Sequence, residues 1–107
     1  MKLYADAKDG VLYNASAEYN GDYVVVKKGS KINLSSTTRF MPQYLETLRH
    51  NEALFENQCY LKKDLVFNTL SSAAIFVTGQ KVNGKIVWKS ADGRTIKEQI
   101  EDGENNA

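Results

Sequence analysis

The side chains with the most chemistry to offer are cations that stand beside tight turns. Lys81, Lys85, Lys89 and Arg94 fall around Asn83-Gly84 and Asp92-Gly93, with Asp92 as the nearby acid, and Lys27-Lys28-Gly29-Ser30 closes a β-branched run. Turn-borne cations with backbone N–H groups next to them suit phosphate oxygens, which fix a nucleic acid in place without reading its sequence. Lys27, Lys28, Ser30, Lys81, Lys85, Lys89 and Arg94 are therefore the candidate nucleic-acid-binding residues. Charge along the chain is uneven in the same sense. Residues 98–107 hold Glu98, Glu101, Asp102 and Glu104 with no lysine or arginine, which makes that end −4, and residues 1–97 carry +5. A mildly basic body is compatible with a polyanionic partner.

Other chemistries lack their residues. One histidine and one cysteine, His50 and Cys59, cannot build the common zinc sites, which need several such ligands at fixed spacing. No Gly-x-Ser-x-Gly elbow presents a serine to His50, and no phosphate loop or Gly-x-Gly-x-x-Gly occurs. His50 follows Leu48-Arg49, where a cation is favoured at a helix C-terminus. Asp6, Asp9, Asp22, Asp64 and Asp92 sit mostly beside glycine or lysine in turn-like contexts, not as a paired acid and base. The sequence thus predicts no catalytic residue, no metal, no cofactor and no enzyme activity of its own.

The elements that must position the cations follow from periodicity. Leu12 to Lys28 alternates with period two around Asn20-Gly21, the dipeptide suited to a two-residue hairpin turn. That turn predicts Ala17 facing Val24 and Ala15 facing Val26, with Tyr13 near Lys28. Asn14, Ser16, Glu18, Tyr23, Val25 and Lys27 then form the outer, wet face. Met41, Tyr44, Leu45 and Leu48 make a helical core stripe with Pro42 in its first turn. Tyr60-Leu61 and Leu65-Val66-Phe67 flank Lys62-Lys63-Asp64 as a hairpin or bent strand. Thr69 or Ser71 caps a helix over 72–78 that Gly79 ends in the left-handed conformation. Asn83-Gly84 reads as a second hairpin-type turn, followed by a strand from Lys85 to Lys89 with Ile86 and Trp88 on one face. Asp92-Gly93 makes a third turn, and Thr95-Ile96 opens a last short element. The order predicts an α+β fold: a small antiparallel sheet, from an N-terminal hairpin plus C-terminal strands, with two short helices packed on one face.

At 107 residues, 42% hydrophobic and 25% charged, the chain has room for one modest core. We expect a single globular domain over 1–101 and an acidic, disordered tail over 102–107. No apolar run approaches a membrane span, and the start reaches Lys2 and Asp6 before a signal-like stretch forms. A cytoplasmic protein with no membrane partner is the expectation.

Phe67-Asn68-Thr69-Leu70-Ser71-Ser72-Ala73-Ala74, then Gly79, Asn83-Gly84, Trp88-Lys89 and Asp92-Gly93, resemble a small prokaryotic domain of unknown function. That domain is often appended to GIY-YIG endonuclease domains and DNA methyltransferases. Tyr23 to Ser30 looks like the same domain's strand ending in Lys-Gly-Ser, and Met41 to Leu54 occupies the place of its helix. The second half is also similar to the RAMA domain, named for its association with restriction enzymes and adenine methylases. Leu70 stands where the pattern has proline, Thr69 where it has serine, and Lys85 where it has a tryptophan able to fill a core or stack on a base. The resemblance implies a restriction-modification setting and a DNA or RNA partner. Together with the basic body it gives the leading expectation, a non-catalytic accessory module that binds nucleic acid. The alternative is a protein-interaction or regulatory domain with a separately encoded partner and no nucleic-acid contact, using Tyr23 and Val25.

Overall fold

The computed structural model describes residues 1–105, and its architecture is α+β. A four-stranded antiparallel sheet has the order β1-β2-β3-β6, from β1 (Lys2–Ala7), β2 (Tyr13–Tyr19), β3 (Val24–Val26) and β6 (Leu65–Phe67). A second, two-stranded sheet pairs β4 (Phe55–Glu56) with β5 (Tyr60–Leu61). Four helices accompany them: α1 (Gln43–Arg49), α2 (Leu70–Thr78), α3 (Gly84–Val87) and α4 (Ile96–Asn105). The acidic tail expected over 102–107 overlaps the last turns of α4 and then passes outside the described residues.

Alternation sorts the strands into two faces. Leu3, Ala5, Ala15, Ala17, Val24, Val26 and Phe67 point inward and are buried. The fully buried residues of β2, Ala15 and Ala17, are alanines, as are Ala73 and Ala74 of α2. Small side chains on both partners let the helix lie close against the sheet, and Phe76 fills the space beyond. Its ring lies 5.0 Å from that of Phe67 and 6.4 Å from that of Phe55, centroid to centroid. Such aromatic contacts add to the area they bury.

The hairpin forms with a different register from that expected. Ala17 pairs with Val26, Glu18 with Val25 and Tyr19 with Val24, so the connection holds four residues, Asn20 to Tyr23. The Asn20 side chain explains this, because its Oδ1 accepts from the N–H groups of Asp22 (2.9 Å) and Tyr23 (3.0 Å) and builds an Asx turn with Gly21 at φ 96°. The slip is two residues, so the inward and outward faces are as expected.

Three further expectations are corrected. Tyr60-Leu61 and Leu65-Phe67 are not hairpin partners; they belong to different sheets, with Leu65-Phe67 pairing Val24–Val26. Asn83-Gly84 is not a hairpin turn, and Lys85 to Lys89 is not a strand. Asn83 has φ −90° and caps α3, its Oδ1 accepting from Lys85 N at 3.0 Å, which leaves Ile86 half-exposed while Trp88 is buried. Gly84 is present for proximity: a Cβ there would lie 2.2 Å from the Leu70 carbonyl carbon. In the α1 stripe, Tyr44 is 59% exposed, and Arg49 takes the buried place beside Leu45. The inner face of the helix centres on Leu45, Leu48 and Arg49, three and four residues apart.

The helix expected after Ser71 begins at Leu70, with Thr69 as its cap; Thr69 Oγ1 accepts from Ser72 N at 3.0 Å, and Gly79 ends it at φ 76°. Ser71 has a different task, its Oγ accepting from Gly84 N at 3.0 Å and tying α3 to α2. The strand β1 went unforeseen. It pairs along its length with β2 and, on its other side, with residue 89 through Tyr4 N to Lys89 O (2.8 Å) and Lys89 N to Tyr4 O (2.9 Å).

Candidate nucleic-acid interface

The sequence-predicted cations do not converge on one contact. Lys27 and Lys89 lie on the outer face of the sheet, in one cross-strand row: Lys89 bridges Tyr4, Tyr4 pairs with Ser16, and Lys27 N donates to Ser16 O at 2.9 Å. Facing residues of an antiparallel pair share a face. At the far end of that row Lys27 Nζ meets Asp64 Oδ2 at 2.9 Å. Lys85 stands in another setting, at a cleft walled by Tyr19, Leu70, Ile96 and Ile100. Arg94 is half-buried in the Ser90–Arg94 turn, where its N–H donates to Asp92 Oδ1 at 3.2 Å.

The Lys27-Ser30 segment offers less to a phosphate than its sequence suggests. Every backbone N–H in it is engaged: Lys27 with Ser16 O, Lys28 with Asp64 Oδ1 (2.7 Å), Gly29 with Leu61 O (2.9 Å) and Ser30 with Lys27 O (3.2 Å). Ser30 itself is 3% exposed, and its Oγ accepts from Ser16 N at 3.1 Å. The hydroxyl holds β2 and leaves only the lysine side chains facing outward. The same contacts act on Asp64, whose carboxyl is held below the usual carboxylate range by the Lys28 N–H first and the Lys27 ammonium second.

Lys81 is placed differently. Its Nζ lies 5.2 Å from the centroid of the Phe40 ring, and Arg39 Cζ lies 4.9 Å from the same centroid. Both distances fall within cation–π range. Phe40 is nevertheless 60% exposed, so an aromatic ring with two cations against it is presented to solvent. Arg39 and Phe40 were not among the expected site residues. A readable signal exists: no Asp or Glu occurs from Tyr23 to Leu45 or from Leu65 to Ala91, and Arg39-Phe40 lies in the first of these stretches and Lys81 in the second.

The fold joins these two acid-free stretches along a seam. Asn33 N donates to Val77 O (2.9 Å), Asn33 Nδ2 to Thr78 O (3.1 Å) and Thr38 N to Gly79 O (2.7 Å), and Gln80 Nε2 donates to Ser36 Oγ. Arg49 locks the seam from beneath. It is 4% exposed, with NH1 donating to Phe76 O (2.5 Å) and NH2 to Asn33 O (2.7 Å) and Ser36 O (2.8 Å). Burial pulls its pKa down, and the carbonyls it serves include one in the last turn of α2, where the helix dipole favours a cation. Thr38 carries this order outward, its Oγ1 accepting from Phe40 N at 3.3 Å and its carbonyl from Met41 N at 3.1 Å. Phe40 is thus held on an anchored loop.

Tyr23 and Val25, expected as a protein-contact face, lie where the outer face is most apolar. Val25 pairs with Val66, which is 64% exposed, and Tyr4 and Tyr23 are also exposed. His50 caps α1 through its backbone N–H to Glu46 O, and among the described residues no cluster of His, Cys, Asp and Glu is arranged for a metal ion. Among those residues, too, no helix is long and apolar enough to cross a membrane.

A helix on one face of a small antiparallel sheet, with a cation-flanked aromatic at the seam, defines a compact α+β domain. The family model described as Domain of unknown function (DUF4357) matches residues 5–100, and the chain belongs to that family. No curated protein and no solved structure matches it.

Proposed function

We propose that this domain is a non-catalytic accessory module that contacts nucleic acid through the seam carrying Arg39, Phe40 and Lys81. The observation behind the reading is the exposed ring with a guanidinium at 4.9 Å and an ammonium at 5.2 Å, contributed by two stretches of chain without carboxylates. Cations able to meet phosphate, around an aromatic able to meet a base, are the parts such surfaces use. Lys27 and Lys89 add positive charge on the sheet face, offset by Asp64 and Glu18. The resemblance to domains that accompany endonucleases and methyltransferases points the same way.

Fluorescence anisotropy with a labelled oligonucleotide, titrated from about 50 to 200 mM salt, tests it. Affinity should fall with salt, and each of Arg39→Gln and Lys81→Gln should reduce the log–log slope by about 0.7–0.9. Binding that ignores salt, or an unaltered slope in both variants, refutes the reading. A second reading, a docking face for a separately encoded protein, draws on the exposed Val66 beside Val25, with Tyr4 and Tyr23 near by. An association that survives high salt and is lost in Val66→Asp would favour it.

A further inference from the structure

The ring at the seam carries a sharper consequence, which rests on the nucleic-acid reading just given. We infer that the strand this domain takes is single-stranded, with an unpaired base stacked on Phe40 while Arg39 and Lys81 hold the flanking phosphates. Phenylalanine is among the residue types most often buried, yet Phe40 is 60% exposed. Its exposure does not come from a frayed segment. Thr38 fixes the loop by its bond to Gly79 O and by accepting from Phe40 N and Met41 N, and Arg49 secures the backbone beneath through Ser36 O and Asn33 O. An anchored ring loses little freedom on binding, which lowers the cost of using it as a contact.

The chemistry of the ring then selects the ligand. Bases inside a duplex already stack on one another and show only their edges in the grooves, and Phe40 has no hydrogen-bonding group with which to read an edge. An unpaired base has a free π-face, and aromatic rings and guanidinium planes are the surfaces on which such bases lie. Phe40, 60% exposed, offers such a ring, and Arg39 beside it keeps the phosphate role. Stacking of this sort tolerates any base, so no sequence preference is needed, and DNA and RNA share the chemistry. The comparison of the two sugars settles the source.

The test uses the full chain and four labelled probes of equal length: oligo-dT, oligo-U, a DNA duplex, and a strand of abasic spacers that keeps the phosphates but has no bases. The two base-bearing single strands should bind tighter than the duplex and the abasic strand. Phe40→Leu, which keeps apolar bulk and removes the π-face, should weaken binding to the base-bearing strands by about tenfold and leave the abasic strand unchanged. Phe40→Tyr should retain the preference. If duplex and abasic strands bind as well as oligo-dT, and Phe40→Leu changes nothing while Lys81→Gln still weakens binding, the single-strand inference is overturned and the nucleic-acid reading stands. If no probe binds at low salt, both are overturned. Tighter binding of oligo-U than of oligo-dT, with both lost alike in Phe40→Leu, supports the inference and assigns RNA as the source.

Discussion

Replacing Arg49 with methionine should remove a large share of the domain's stability. The side chain donates three hydrogen bonds of 2.5 to 2.8 Å to the carbonyls of Phe76, Asn33 and Ser36 and lies near Thr37 Oγ1 at 3.4 Å. Bonds from a charged donor contribute about 1.5–3 kcal/mol each. Against this stands the cost of burying a guanidinium, several kcal/mol, which methionine avoids while still filling the space. For a buried ion pair, replacing both partners with apolar groups can be neutral. Here that route is closed, because the acceptors are backbone carbonyls that no substitution deletes. The net loss should be about 3–5 kcal/mol out of a total of roughly 5–15 kcal/mol, because three carbonyls left without their donor, at about 1–3 kcal/mol each, outweigh the desolvation that methionine avoids. Urea unfolding followed by Trp88 fluorescence would register this as a midpoint about 2 M lower, and a thermal scan as a drop of roughly 15–30 °C. Arg49→Lys, with a point charge in place of a planar fork, should fall between the two. A methionine variant within about 1 kcal/mol of the parent would refute the reasoning, since the carbonyls would then have found other donors or water.

The glycines offer a graded check on close packing. Gly79→Ala combines φ 76° with a Cβ 1.9 Å from Ser36 O, Gly84→Ala meets only the Leu70 and Ser71 backbone, and Gly93→Ala at φ 85° has open space around it. Unfolding free energies should therefore fall most for Gly79, next for Gly84, by at least the roughly 1–3 kcal/mol of overpacking, and by about 1–2 kcal/mol for Gly93. An equal loss at all three would show that proximity plays no part. Asp64 governs a pH effect of definite sign. Its folded pKa lies below the unfolded one, so its contribution is complete above about pH 4 and drains away as the pH falls through the folded value. Asp64→Asn should lower stability at neutral pH and flatten the acid limb, with a remainder left by Asp92, whose carboxyl is lowered by Ser90 and by the Arg94 N–H. Parallel pH curves for parent and variant in urea denaturation would dismiss this role.

What could be read from the chain was what local chemistry decides. The cap at Thr69, the left-handed Gly79 and the two faces of the β2–β3 hairpin depend on residues within a few positions of one another. The dipeptide Asn-Gly was harder, because the same side chain that supports a tight turn also caps a helix. Asn20 built a longer turn and Asn83 a helix start, and what separates them is the packing of Gly84 on Leu70, which only the tertiary structure supplies. β1 is hard to read from the chain because its inward residues are only Leu3 and Ala5, and its partner on one side lies at the other end of the chain. At the site, the lysines were visible as charges, but their settings were not. Ser30 looked like a phosphate ligand and is a buried strand tie, whereas Arg39-Phe40 became legible only once Thr38 was seen bonded to Gly79.

The pairing of Tyr4 with Lys89 also sets an order of events during synthesis. β1 is made before residue 89, yet its outer edge is bridged at Tyr4 only when residue 89 has been made and folded back. Until then a nascent chain that has already formed β1, β2 and β3 displays an open row of N–H and C=O groups, the kind of edge on which strands from other chains add. Trp88, next to that latch, enters the interior in the same movement. Closing the edge and filling the core are thus one late step, and chains cut short before it should be the ones that aggregate.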